Sequence, residues 1–337
     1  MSVYRIIGIE ASPYSVKVRA VMRYMHIVFR WVGRMPQFFD ETKRVKPLIM
    51  PVVQFPSGEY RTDSTPILLD IDKRHSKERT ILPRRTSDAF LSLLIEDLAD
   101  EWLTKCLFYF RFNTDTDARW GASWVIDDAH SNLTQAELNG LTDNFIERQT
   151  ERMGLVGCSK SNGPILEKSY EEFLRIMEEF VARDKFFFGS RPSIGDFGVY
   201  GQLKTLGTDS TASKIMRTVA PRTEAWVLRA DDLSDTDGIW YPEDDQFSPV
   251  IIKILKYAAT YYLPYLVANN EALEDGSGEF SITMQGSEYR QPCFSYHGKC
   301  LKFLVERFNS LEGEESSRVT KLLKETGCLD YFRRVSV

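Results

Sequence analysis

The chain has 337 residues, 43% hydrophobic and 27% charged, which is an ordinary balance for a globular protein. The formal net charge of −5 argues against nucleic acid as the main partner, because phosphate binding requires clustered lysine and arginine. No apolar run approaches the roughly 18 to 20 residues that span a membrane, and no apolar leader is expected at the N-terminus. The five scattered cysteines contain no CxxC pair, so we expect no disulfide framework, no metal site and a reduced, cytoplasmic protein.

The first segment, residues 1–82, alternates strand and helix. A buried strand is predicted over 4–9, a helix from Ser12 or Pro13, and a second strand over 27–32. After an irregular polar stretch, a Ser-Gly turn joins two short strands into a hairpin, and a helix begins near Ser64. The order β-α-β-β-β-α, with the irregular stretch before the third strand, is that of an α/β thioredoxin-like domain.

The second segment, residues 88–235, shows helical periodicity. Apolar residues recur at three- and four-residue steps from Phe90 to Trp102, which predicts an amphipathic helix. Further helices are predicted near 121–130, 134–151, 164–183, 193–207, 210–218 and 220–229. The acidic, glycine-bearing stretch 231–238 predicts a loop. This part of the chain is therefore expected to be an all-helical domain.

The last segment, residues 245–337, is predicted to be a helical extension. We expect a helix over 248–268, a hinge over 274–278, a strand over 280–284, and amphipathic helices over 295–311 and 315–326. Gly327 stands where a left-handed helix cap would lie. A short helix pair cannot bury its apolar stripes alone, so we expect this extension to dock on the chain's own helical domain.

Four short motifs, in this order, resemble those of the glutathione transferase family. They are Ser12-Pro13-Tyr14-Ser15, Met50-Pro51-Val52-Val53, Asp63-Ser64-Thr65-Pro66-Ile67 and Ser193-Ile194-Gly195-Asp196. The resemblance covers roughly residues 1–230 and implies a thioredoxin-like domain followed by an all-helical domain. It also implies a homodimer that uses glutathione as a co-substrate without a bound cofactor. The chain departs from the family in an insertion near 112–163 and in the C-terminal extension.

Ser12 is the predicted catalytic residue, with Ser15 and Tyr14 as alternates. Both positions that hold cysteine in a CPYC motif are serine here, so thiol-disulfide exchange cannot run through this turn. Lowering a thiol pKa of about 8.5 by two units takes roughly 2.7 kcal/mol. A hydrogen bond to a charged sulfur supplies about 1.5–3 kcal/mol, and a helix N-terminus about 0.3–1 more. Alternatively, Ser12 is a plain N-cap and Tyr14 packs against the helical domain.

The resemblance assigns glutathione binding to further positions. Met50, before a cis proline at Pro51, would offer backbone groups to the cysteinyl unit. Ser64 and the amides at its helix N-terminus would hold the γ-glutamyl carboxylate, and Asp63 would meet the ammonium group. Lys46 or Arg44 would supply a cation for the glycyl carboxylate. The alternatives are a plain cap and turn for Asp63 and Ser64, and solvated surface charges for Arg44 and Lys46.

Three further groups of residues are interpreted from their place in the helical segment. Trp102, Phe108 and Tyr109 would line an apolar substrate pocket, unless they pack in the core. The acids Glu96, Asp97, Asp100 and Glu101 are interpreted as a solvated helix face. Ser193 and Asp196 form the pattern of a capping box and are assigned to structure.

The function predicted from the sequence is a glutathione transferase-like enzyme that activates the thiol for attack on a small apolar electrophile. A glutathione-dependent isomerase or lyase would use the same thiol site. The alternative from another class is a non-catalytic binding or scaffold protein with the same fold, which the long C-terminal extension would suit.

Overall fold

A computed structural model describes residues 3–33, 38–75, 78–242 and 246–334. The N-terminal sheet contains β1 (Tyr4–Gly8), β2 (Phe29–Gly33), β3 (Val52–Gln54) and β4 (Tyr60–Thr62). Its strand order is β2-β1-β3-β4; β1 runs parallel to β2 and antiparallel to β3, and β3 runs antiparallel to β4. The helices of this part are α1 (Pro13–Tyr24), α2 (Phe39–Thr42) and α3 (Ser64–His75). The predicted thioredoxin-like domain is confirmed. Residues 34–37 of the predicted irregular stretch lie outside the described residues.

The next part of the chain is helical, as predicted. Its helices are α4 (Thr86–Leu98), α5 (Thr104–Phe112), α6 (Asp115–Ala129), α7 (Gln135–Arg152), α8 (Gly163–Val181), α9 (Ile194–Leu206), α10 (Ser210–Val219) and α11 (Pro221–Ala230). A π-helical turn, Ala99–Leu103, joins α4 to α5. Helix α9 packs against both α1 and α4 and so joins the helical domain to the thioredoxin-like domain.

The capping box at the start of α9 is confirmed. Ser193 Oγ accepts the Asp196 N–H, and Asp196 Oδ2 accepts the Ser193 N–H at 2.8 Å. The second carboxylate oxygen accepts the Phe187 N–H at 3.0 Å. Burial raises the pKa of Asp196 to about 7. Both residues therefore stabilise the helix start and the chain before it, as the sequence predicts.

A long helix follows the predicted loop. It consists of α12 (Pro249–Tyr257), a π-helical turn (Ala258–Tyr262) and α13 (Leu263–Asp275), and ends at Gly276 in the left-handed conformation. By length and composition this helix could cross a membrane, which the sequence reading did not anticipate. Two thirds of its most apolar stretch is buried against the rest of the protein, as in the core helix of a globular domain.

The C-terminal region contains a β-hairpin that the sequence reading only half predicted. Strand β5 (Glu279–Met284) pairs antiparallel with β6 (Ser287–Pro292), and the latter was missed. The turn between them, Gln285-Gly286, has positive φ at both residues, as two-residue hairpin turns require. Because glutamine rarely adopts a positive φ, the residues of this turn did not indicate a hairpin.

The chain ends with α14 (Ser295–Asn309), α15 (Gly313–Thr326) and α16 (Leu329–Arg333). Gly327 has φ 79° and caps α15, as predicted. Helices α14 and α15 pack on α4, α14 also packs on α13, and α15 on α12. The predicted apolar stripes are buried there: Leu301, Leu304, Val305, Val319, Leu322 and Leu323 are at most 3% exposed. The extension therefore docks in cis and shares one core with the rest of the chain.

Candidate functional site at one end of the sheet

The strand register brings the predicted site segments together. Ile7 of β1 pairs with Val52 of β3, and Val52 also pairs with Thr62 of β4. Because β3 runs opposite to both neighbours, the chain after β1, the chain before β3 and the chain after β4 all lie at the same end of the sheet. Ser12, Pro51 and Ser64 belong to these three segments, and α1 and α3 both begin there.

Gly8 shows how closely two of these segments approach. A Cβ atom at Gly8 would lie 2.6 Å from Ser15 Oγ and 3.6 Å from Pro51 Cβ, so only glycine fits without displacing Ser15. The peptide bond between Met50 and Pro51 is cis, as predicted. Pro51 is buried and Met50 is half-buried at the edge of the site.

Ser12 caps α1, and its environment separates it from the two alternates. Ser12 Oγ accepts the Ser15 N–H at 3.3 Å, and within the described ranges no residue accepts the Ser12 hydroxyl proton. Ser12 is 8% exposed, whereas Ser15 is fully buried and its hydroxyl also has no described partner. Both hydroxyl protons are therefore without a described acceptor, and Ser12 is the one of the two serines that keeps some exposure.

Tyr14 is used for contact between domains. Its hydroxyl donates to the Asp100 carbonyl at 2.9 Å and lies 3.1 Å from Thr104 Oγ1. Burial, with the nearby carboxylates of Glu101 and Asp100, raises the pKa of Tyr14 well above its usual value. Tyr14 therefore packs against the helical domain, which is the alternative that the sequence left open.

The turn that carries Ser12 is held by the helical domain. The Ala11 N–H donates to Asp128 Oδ2 at 3.1 Å, and the Ala11 carbonyl accepts from Arg111 Nη1 at 3.0 Å. Arg111 is itself paired at 3.0 Å with Asp209, and both side chains are buried. Nothing in the sequence near Ser12 indicates these contacts, since they come from helices about a hundred residues away.

Asp63 and Ser64 begin α3, but Asp63 is already engaged by the C-terminal extension. Asp63 has a positive φ of 75°, and the hydroxyl of Tyr296 donates to its Oδ2 at 3.0 Å. Burial raises the pKa of Asp63. Ser64 is 5% exposed, and its hydroxyl has no partner in the part of the chain that the structure describes. Helix α14 therefore lies next to the position assigned to the γ-glutamyl group.

Lys46 and Arg44 lie beside the site in an open groove. The groove, of about 760 Å³, is lined by both cations, by Tyr60 and by Asp63. Both cationic side chains are exposed, as the solvated alternative predicts. The groove nevertheless places them within one surface with Asp63, where they could meet a carboxylate of a bound molecule.

Glu96 and Asp100 of the helical domain are buried and Asp97 and Glu101 are half-buried, so the interpretation as a solvated face is wrong. Lys17 of α1, fully buried, pairs with Glu96 at 2.7 Å and with Asp100. Thr65 donates to Glu96 at 2.6 Å, so one carboxylate joins α1 and α3. Burial lowers the pKa of Lys17, but the carboxylates of Asp100 and Glu96 outweigh it and raise the pKa above the usual value. The sequence reading failed because each acid's partner lies far away in the chain.

The extension adds a histidine to this buried polar group. His297 Nε2 lies 2.8 Å from Glu101 Oε2, and its Nδ1 forms a hydrogen bond with the Tyr265 hydroxyl. Burial raises the pKa of Glu101 to about 7, although Lys105 acts in the opposite direction. Burial, helped by Lys105, lowers the pKa of His297 well below its usual value. His297 lies on α14, so the docking of this helix on the helical domain brings it to Glu101.

The predicted substrate-pocket residues lie in the core instead. Trp102 is fully buried, and its Nε1–H donates to Ser169 at 2.7 Å. Tyr109 is 4% exposed and donates to Glu167 at 2.7 Å, while Phe108 packs against Phe112. Trp102 and Tyr109 therefore fill the core, and Phe108 is partly buried against it.

Comparisons with known proteins were made by family, by curated sequence and by fold. No protein-family model and no curated protein matches the chain. Among solved structures, the beta-etherase LigF of Sphingobium sp. strain SYK-6 is similar at TM-score 0.49 and 15% identity, over 68% of this chain and 94% of that one. The Tau class glutathione S-transferase of mango, Mangifera indica, is similar at TM-score 0.41 and 15% identity, over 69% and 90%. A glutathione S-transferase of Methylobacterium radiotolerans, solved with glutathione sulfonate, is similar at TM-score 0.42 and 18% identity, over 73% and 99%. More than four residues in five differ in each comparison.

Proposed function

We propose that the protein binds glutathione at the end of the sheet described above and activates its thiol. The observation that carries this proposal is the register, which gathers a helix N-terminus with Ser12, a cis proline at Pro51 and a second helix N-terminus at Ser64. Two helix N-termini and an edge of free backbone groups suit a molecule with a thiolate and carboxylates.

Ser12 has the chemistry that thiol activation needs. A hydroxyl that donates to sulfur favours the thiolate over the thiol, by about 1.5–3 kcal/mol. The start of α1 adds about 0.3–1 kcal/mol for the negative charge. Together these lower a thiol pKa by about one to three units, since each unit corresponds to about 1.36 kcal/mol.

The reaction class that follows is attack of the thiolate on an electrophile. The sulfur forms a new bond to a carbon of the electrophile while a leaving group or an electron pair departs from it. Conjugation, isomerisation and ether cleavage all begin in this way, and we propose transfer of the glutathionyl group to a small apolar electrophile. The cytoplasmic location and the homodimer belong to the same proposal. The five cysteines, all within the described ranges, are free thiols, as a reducing compartment would leave them.

A titration of bound glutathione tests the proposal. Thiolate absorbance is followed against pH for the wild type, Ser12→Ala and Ser210→Ala, the last being a serine at the start of another helix, α10. We expect Ser12→Ala to raise the pKa of bound glutathione by about one to two units and to lower turnover of a model electrophile. Ser210→Ala should leave both unchanged. An unaltered titration in Ser12→Ala would assign the role to Ser15 or to a backbone amide.

One observation favours the second candidate, a non-catalytic binding or scaffold protein. The hydroxyl of Tyr296 already occupies the Asp63 carboxylate, which the first proposal reserves for the glutathione ammonium. Retention on glutathione resin, with elution by free glutathione, separates the two candidates. A full-length chain that is not retained, in wild-type form or as Tyr296→Phe, would support the scaffold.

A further inference from the structure

A second cavity lies away from the candidate site, where the start of α4 faces the segment 237–242. It has a volume of about 700 Å³, within the range of about 300–1,000 Å³ typical of small-molecule sites. Its lining includes Arg84, Arg85, Arg191 and Trp240. None of the residues assigned above to glutathione lines it.

The lining residues carry hydrogen-bond donors without acceptors. Arg85 Nη1, Arg191 Nε and Trp240 Nε1 are buried, and no residue of the described ranges accepts from them. Guanidinium and indole nitrogens can only donate, so no rearrangement among these three residues can satisfy them. A buried donor left without a partner carries a desolvation penalty, which an acceptor of negative charge would remove most effectively.

The carboxylates around the cavity are mostly used elsewhere. Asp88 accepts from Arg318 at 2.9 Å, and Asp237 is paired with Arg79. Glu315, from α15, lies 3.3 Å from Arg85 Nη2 and accepts the Ser87 N–H at 3.1 Å.

Two guanidinium groups of the lining keep no carboxylate partner within the described ranges, those of Arg84 and Arg191. Arg191 donates to the backbone carbonyl of Glu78, lies near the Tyr24 hydroxyl and lies over the Trp240 ring at 5.5 Å. The Glu78 carboxylate, which also lines the cavity, has no cation partner there. Among the lining residues that the structure describes, the balance is therefore two unpaired cations against one unpaired anion.

The wall that carries Trp240 is held by backbone contacts. The Ser190 N–H donates to the Ile239 carbonyl at 3.0 Å, and the Tyr241 N–H donates to the Phe188 carbonyl at 2.9 Å. A Cβ atom at Gly238 would lie 1.9 Å from the Ser190 carbonyl oxygen, so this close approach requires glycine. The backbone that carries Trp240 is thus held before any ligand arrives, which lowers the entropy lost on binding.

We propose that this cavity binds the oxyanion group of a small phosphorylated or carboxylated molecule. Arg84 and Arg191 supply the positive charge, and the N–H groups of Arg191 and Trp240 supply the hydrogen bonds. Phosphate and carboxylate share the planar pairs of oxygen atoms that a guanidinium group binds with two parallel hydrogen bonds. The Trp240 ring and Tyr241 form the less polar part of the wall, against which the remainder of the molecule would lie.

Calorimetric titration of the full chain with inorganic pyrophosphate and, separately, with citrate tests the proposal. The variants are Arg84→Gln, which alters an exposed side chain and spares the fold, and Arg191→Gln. Arg222→Gln, at an exposed arginine on α11, is the matched control. We expect saturable binding that each lining variant weakens about tenfold and the control leaves unchanged. Tighter binding of pyrophosphate identifies a phosphorylated ligand, and tighter binding of citrate a carboxylated one.

The site fails if neither probe gives saturable heat at low ionic strength, or if Arg84→Gln binds both probes as the wild type does. Retention on glutathione resin, measured on the same variants, keeps this test apart from the proposed function. Arg84→Gln and Arg191→Gln should be retained like the wild type, because their side chains do not reach the sheet end. Loss of the oxyanion site with glutathione retention intact would therefore leave the proposed function standing.

Discussion

The hydroxyl of Tyr296 donates a hydrogen bond to the Asp63 carboxylate at 3.0 Å, across 233 positions of the chain. This contact joins the C-terminal helix α14 to the start of α3, at the end of the sheet where Ser12 and Pro51 also lie. Two neighbouring residues make further contacts with the rest of the chain. His297 contacts Glu101, and the Asn269 side chain donates to the Phe294 carbonyl and accepts the Phe294 N–H. The extension is therefore part of the candidate site.

Tyr296→Phe should lower the free energy of unfolding by about 1–2 kcal/mol, because it leaves the half-buried Asp63 carboxylate without this donor. The phenylalanine ring keeps the packing, so the loss reports the hydroxyl. Urea denaturation measures it, with Tyr331→Phe in α16 as the control that removes a hydroxyl without a described hydrogen-bond partner. Equal stability of both variants would contradict the contact.

Lys17→Met should lower the free energy of unfolding by about 3–5 kcal/mol, since it removes the cation from two buried carboxylates. The deficit should shrink as pH falls, because burial raises the pKa of Asp100, which can then take up a proton. Lys214→Met, at an exposed lysine of α10, is the control and should change stability by less than about 0.5 kcal/mol. If Lys17→Met also changed stability by less than about 0.5 kcal/mol, Lys17, Glu96 and Asp100 would be exposed to water in solution.

The carboxyl group of Glu101 gives stability a definite pH dependence. Its pKa is about 7 in the folded protein and about 4.3 when unfolded, so between these values the folded state binds more protons. Its contribution is therefore complete below about pH 4 and is lost as pH rises through about 7. His297, whose pKa is lowered by burial, acts in the opposite direction as pH falls below about 6.5.

Glu101→Gln isolates the first of these two effects. We expect the unfolding free energy of the wild type, relative to Glu101→Gln, to increase as pH falls from about 8 to about 5. Urea denaturation at several pH values measures the difference, with Glu271→Gln at an exposed position as the control. A difference that stays constant over this range would place Glu101 in contact with water.

Leu304→Ala tests whether the extension belongs to the core. Leu304 of α14 is fully buried, so its truncation should lower the free energy of unfolding by about 2–5 kcal/mol. Leu228→Ala, at a leucine that is 64% exposed, removes the same atoms at the surface and should have little effect. A single unfolding transition that shifts as a whole in Leu304→Ala would show that the extension and the helical domain unfold together. Two unfolding transitions, of which Leu304→Ala shifts only the one at lower denaturant concentration, would contradict a shared core.

Local patterns in the sequence were sufficient for the elements and for the residues that cap them. The alternation around β1, the serine before Pro13 and the Ser193–Asp196 spacing each act within a few residues, so the chain carries their signal directly. The same holds for the apolar stripes of α14 and α15. The strand β6 was not predicted, because the turn before it contains Gln285 rather than a residue that favours positive φ.

Tertiary structure decided which of these residues meet. Ser12 and its alternate Tyr14 lie in the same turn of the sequence, and only the structure shows that the tyrosine hydroxyl is engaged by Asp100 and Thr104 of the helical domain. The acids near Trp102 have the spacing of a surface helix, and they became buried because Lys17, Thr65 and His297 approach from other elements. A hydrogen bond or ion pair depends on the distance between two atoms in space, and a sequence read one window at a time contains no such distance.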